Sequence, residues 1–126
     1  MSAPEDSIKV EVKTEYIEDQ SSPTEEKYLF RYTITIINLG EKAVTLKSRY
    51  WSITDANNNN SEVRGEGVVG ETPTIEPDSA YQYTSGTVLE TPLGIMQGSY
   101  TMLTGEGESF KAQIPPFRLA VPGLLH

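Results

Sequence analysis

The chain has 126 residues, ten basic and 18 acidic, for a net charge of −8, and it contains no cysteine. That length holds one domain with a core able to fold without staples, and the missing thiols exclude disulfides and thiolate metal sites. The acidic balance argues against nonspecific nucleic-acid binding, which depends on Lys and Arg neutralising phosphates.

Period-two alternation runs through almost the whole chain and predicts strands. Ile8, Val10, Val12, Thr14 and Tyr16 share one face of a first strand, with Glu11, Lys13 and Glu15 on the other. Residues 18–26 form a polar loop containing a proline. Tyr28, Phe30, Tyr32, Ile34 and Ile36 mark a second strand, and Asn38 to Lys42 a turn. The third strand, VTLKSRYWSITD, changes phase: Val44 and Leu46 are even positions, Trp51 and Ile53 odd. A bulge near Ser48-Arg49 would reconcile them, because one extra residue exchanges the two faces; without a bulge, Tyr50 points inward and Trp51 outward. Ala56 to Asn60, with four consecutive asparagines, is a hairpin tip. Ser61 to Val69 return as a fourth strand. Pro73 to Ser79 is a loop. Tyr81 and Tyr83 mark a fifth strand, Thr87 to Leu89 a short further piece, and Thr91 to Gly94 a turn. Tyr100, Met102 and Thr104 share a face of the next strand, which Gly105 to Glu108 turns into Phe110, Ala112 and Ile114. Pro115-Pro116 interrupts that ladder and predicts a kink or sheet switch, with Phe117, Leu119 and Val121 continuing in the opposite phase. No segment sustains a helical period. Seven or eight short strands predict an all-β, antiparallel β-sandwich, immunoglobulin-like or fibronectin type III-like. It is expected to be a single domain with a core over roughly residues 8–121 and short tails.

Residues 65–70, GEGVVG, match the letters of the G-x-G-x-x-G dinucleotide fingerprint. That fingerprint needs a helix after it, so that the helix N-terminus meets the pyrophosphate. Pro73 and Pro77, followed by a strand, leave no room for one. The glycines have three other readings: a phosphate nest of backbone N–H groups, a bulge or close approach that excludes a Cβ, or a surface lip used by a protein partner. Arg64 beside Gly65 adds weight to the nest. Arg49, Tyr50 and Trp51 form a second constellation, since Trp and Arg together suit an interface anchor, although a lone Trp on the third strand of a sandwich also suits the core.

Catalytic apparatus is sparse. The single histidine, His126, stands at the end of the chain, a poor place for catalysis. With that histidine at the end of the chain and no cysteine, Cys-His and Ser-His-Asp arrangements in their usual forms are excluded. Glu62, Glu66, Glu71 and Glu90 are candidate carboxylates. Glu62 and Glu66 share a strand face about 13 Å apart, too far for one metal ion. The first residues lack the basic and apolar regions of a secretory signal, and no apolar run approaches the roughly 20 residues of a membrane helix. A cytoplasmic protein is expected.

Four segments together resemble the ApaG family: RYWSITD (49–55), EVRGEGVVGETP (62–73), YTSGTVLETPLGIMQGSYTM (83–102) and FKAQIPPFRL (110–119). Each alone is weak, but the composite is specific and spans roughly residues 8–121. The resemblance implies a fibronectin type III-like sandwich of bacterial origin. It also implies an association with cobalt resistance and magnesium efflux, a phenotype rather than a transport activity. Eukaryotic relatives carry the domain in F-box proteins and in a polymerase-delta-interacting protein, which implies a protein-binding module. Two departures are Tyr50, where many members have His, and Thr72, where Gln is common.

The expectation is therefore a non-enzymatic binding module with a protein partner. Gly65, Gly67 and Gly70 would shape the binding edge, and Arg49, Trp51 and Arg64 would make contacts. The alternative is a sensor that weakly binds a divalent cation or a phosphate compound. No cofactor is expected and no metal ligands are assigned. The chain is expected to be a monomer, or a dimer paired through an edge strand.

Overall fold

The computed structural model describes residues 7–123. His126 and the rest of both extreme tails lie outside the described residues. Eight strands follow one another: β1 (Ile8–Tyr16), β2 (Tyr28–Asn38), β3 (Val44–Asp55), β4 (Asn60–Glu66), β5 (Thr74–Ile75), β6 (Ser79–Leu89), β7 (Leu93–Thr104) and β8 (Ser109–Ala120). The polar loop after β1 contains two single 3₁₀ turns, Glu18–Gln20 and Pro23–Glu25.

The strands form two antiparallel sheets. One has the order β1-β2-β6. The other has the order β4-β3-β7-β8, with β5 pairing the first residues of β3. The expected sandwich architecture is thus borne out. Alternation builds the core. On β2, Phe30, Tyr32, Ile34 and Ile36 are buried on the face opposite Arg31, Thr33 and Thr35. Leu46, Met96, Met102, Ile114 and Leu119 meet them from the larger sheet.

Both phase changes in the sequence are bulges. Between β3 and β7 the register slips between Leu46 and Ser48, so Lys47 is the extra residue. The bulge lies beside the expected position and has the expected effect: Val44, Leu46, Trp51 and Ile53 all face the core. Trp51 is 2% exposed and makes edge-on contacts with Tyr32 and Phe117 at centroid distances of 5.5 and 5.8 Å.

Of the kink or sheet switch expected at Pro115-Pro116, the strand makes the kink and not the switch. The strand stays in its sheet, and the two prolines stand opposite Gln97 alone in a second bulge. An edge strand tolerates residues without an N–H there, and the added residue flips the faces just as a switch would. The expected break before Thr87 is also absent, because β6 pairs with β2 without interruption from Ser79 to Leu89. The fourth strand ends earlier than expected, at Glu66.

Candidate functional site

The GEGVVG segment is the end of an edge strand followed by a tight hairpin. Val68 and Glu71 exchange backbone hydrogen bonds of 2.8 and 3.0 Å. Val69 and Gly70 form the two-residue tip, with φ of +48° and +79°. Positive φ at both central residues is the mark of a type I′ turn, which suits the twist of paired strands. Val68 is fully buried and anchors the hairpin, while Val69 is 63% exposed at its apex.

One glycine is fixed by space, and a second lies directly under a movable guanidinium. Gly67 has φ +62°, and a Cβ there would lie 2.1 Å from the backbone oxygen of Glu71. At Gly65 a Cβ would lie 2.8 Å from the guanidinium of Arg49. Arg49 stands opposite Gly65 in the β3–β4 pair and donates to the carbonyls of Glu66 and Gly67 at 3.1 and 2.8 Å. Arg49, Gly65 and Gly67 are therefore one unit, a clamp that fixes the base of the lip.

This arrangement leaves little for a phosphate nest. The Gly67 amide donates to Lys47 O at 2.8 Å, and the Val68 and Glu71 amides donate within the hairpin. A nest requires successive N–H groups free to converge on an anion.

The other expected contacts fall elsewhere. Trp51 is core and offers no surface. Arg64 pairs with Tyr50 on the opposite face of the sheet from Arg49, with its guanidinium 4.4 Å from the Tyr50 ring centroid. The Tyr50 hydroxyl donates to Glu62, and this bond holds the phenol above its ordinary pKa. Glu71 accepts a long 3.5 Å bond from Tyr81, whose hydroxyl is raised by burial first and by Glu71 second. The four candidate carboxylates do not converge: among the described residues no group of three His, Cys, Asp or Glu could hold a metal ion. Beneath the lip, the Tyr83 and Tyr100 hydroxyls hydrogen-bond to each other in the core. Burial pushes both well above the tyrosine range, weakly opposed by Arg49.

Sequence reasoning passed over Val69, treating it as strand. The signal was a β-branched residue before glycine at a hairpin tip, where Asn-Gly is the favoured pair.

Fold and site together define an antiparallel β-sandwich carrying an exposed, hydrogen-bonded hairpin lip at one sheet edge. The ApaG domain family model matches residues 18–104, and the chain belongs to that family. It is 92% identical over 126 residues to Protein ApaG of Shewanella sediminis, covering 100% of both chains. An X-ray structure of a structural-genomics target superposes with TM-score 0.94 at 70% identity, covering 98% of this chain and 94% of that one. The crystal structure of the putative ApaA protein from Bordetella pertussis superposes with TM-score 0.90 at 40% identity, covering 92% and 94%.

Proposed function

We propose that the chain is a non-enzymatic binding module that engages a protein partner through the Gly67–Gly70 lip, with Val69 as its apolar anchor. One observation carries this reading. Val69 is a β-branched residue with φ +48° and 63% exposure. Such a residue in the left-handed region is a genuine outlier costing of order 1–3 kcal/mol, and strain of this kind concentrates at functional sites. Asparagine would relieve the strain and suit the solvent. An apolar side chain kept there at a cost is suited to a partner's pocket. Val63, 40% exposed on the adjoining strand β4, is a second exposed apolar residue on this side of the sheet edge.

The association with cobalt and magnesium rests on the family resemblance, and in this reading it runs through the partner. We place the module in the cytoplasm on its cysteine-free composition.

The test is site-specific photo-crosslinking in living cells. A photoreactive residue at position 69 is expected to give a discrete cross-linked complex, and one at Lys13 on the far sheet is expected to give none. Indistinguishable products from the two positions would refute the reading.

A further inference from the structure

The register sets a straight row of side chains across the outer face of the larger sheet: Arg64 on β4, Tyr50 on β3, Ser99 on β7 and Gln113 on β8. The neighbouring row ends in Lys111 on β8, beside Thr101. Ser99 lies on the outer face, because its neighbour Tyr100 points into the core, yet it is only 7% exposed. The longer side chains around it bury it. The result is a groove of about 520 Å³ with Ser99 in its floor, Tyr50 and Arg64 on one wall, and Lys111 and Gln113 on the other.

Two of the chain's ten basic side chains, Arg64 and Lys111, line this groove. Lys9, Lys27, Arg31 and Lys42 each pair with a carboxylate. Among the described residues Arg64 and Lys111 make no such pair, nor do Lys13, Lys47, Arg49 and Arg118, but only Arg64 and Lys111 line this groove. Arg64 instead lies over the Tyr50 ring, beside the groove; of the two carboxylates that flank it on β4, Glu62 is engaged by the Tyr50 hydroxyl and Glu66 stands at the strand's end, paired with neither cation. The outer two strands are about 14 Å apart at the backbone, a gap that an arginine and a lysine can close over a small anion.

We propose that this groove binds a small phosphorylated metabolite of the sugar-phosphate class. The phosphate sits above Ser99 between Arg64 and Lys111, because two cations on opposite walls suit a dianion with several outward oxygens. The polar body of the ligand meets Gln113, and Gln97 and Ser52 further along the groove. The groove is open to solvent along its length, so the ligand is held by its charged end rather than enclosed. This site is separate from the lip, on the other face of the sheet from Arg49.

The test is amide chemical-shift titration of ¹⁵N-labelled protein in phosphate-free buffer, with glucose 6-phosphate, glucose and inorganic phosphate as probes. Glucose 6-phosphate is expected to shift Tyr50, Ser99, Lys111 and Gln113, saturating by about 10 mM. Inorganic phosphate should shift the same residues with weaker affinity, and glucose should shift none. Arg64→Ala and Lys111→Ala, both at exposed positions, should each weaken binding by about tenfold or more while leaving the rest of the spectrum in place. No localised shifts, equal responses to glucose and glucose 6-phosphate, or unchanged affinity in both variants would overturn the site. Inorganic phosphate binding as tightly as glucose 6-phosphate would overturn the ligand class.

Discussion

Gly67 and Gly70 both have positive φ, yet replacing them with alanine should have unequal consequences. At Gly70 the added methyl meets nothing within 4 Å, so the cost is conformational alone, about 1–2 kcal/mol for an L-residue in the left-handed region. At Gly67 the same cost applies, and the methyl also meets Glu71 O at 2.1 Å. That oxygen accepts the Val68 N–H at 2.8 Å and cannot move away without breaking the hairpin bond. Overpacking of this kind adds about 1–3 kcal/mol. Gly67→Ala should therefore lose about 2–5 kcal/mol, a large share of the roughly 5–15 kcal/mol that holds a typical domain. Urea unfolding followed by fluorescence of Trp51, the only tryptophan, measures both variants. With a slope of about 1.5 kcal/mol/M, the midpoint should fall by about 1.3–3.3 M for Gly67→Ala and by about 0.7–1.3 M for Gly70→Ala. Equal losses, or a loss below about 1 kcal/mol at Gly67, would refute the close approach of Gly67 to Glu71 at the base of the lip.

Three further outcomes are expected. Arg49→Met keeps the apolar stem but removes both bonds to the lip carbonyls; for this half-exposed group it should cost about 1–2 kcal/mol and speed hydrogen exchange at Gly67 and Val68. Trp51→Ala should destabilise by about 3–5 kcal/mol, as expected for a buried ring in an aromatic cluster, and equilibrium unfolding measures it. Tyr83 and Tyr100 are held neutral by burial in the native state, whereas unfolded tyrosine ionises near pH 10. The unfolded chain therefore binds fewer protons above that pH, and stability should fall as pH rises through about 10; absorbance at 295 nm should show the two ionising only as the protein unfolds.

Much of the fold is legible in the sequence because alternation reports which face is buried. The phase change from Leu46 to Trp51 locates a bulge to within a residue or two of Lys47. Alternation does not distinguish a bulge from a change of sheet, so Pro115-Pro116 leaves a kink and a switch both open, and pairing across the strands decides for the kink. The lip is less legible. Parity along β4 gives no sign that Gly67 turns the chain, since the turn depends on Glu71 returning against it in space. Nor can spacing separate the two arginines: Arg49 and Arg64 face opposite sides of the sheet through pairing across strands. The outer groove is a row across four strands, and no local pattern encodes such a row.

The most direct test of the central claim is Val69→Asn. Asparagine accepts the left-handed conformation that valine resists, so the thermal midpoint should hold or rise by a few degrees. In the same variant, the complex captured by a photoreactive residue at position 63 on the adjoining strand should disappear. A midpoint that falls, or a cross-linked complex that persists undiminished, would contradict the assignment of Val69 as a strained anchor held out for a partner.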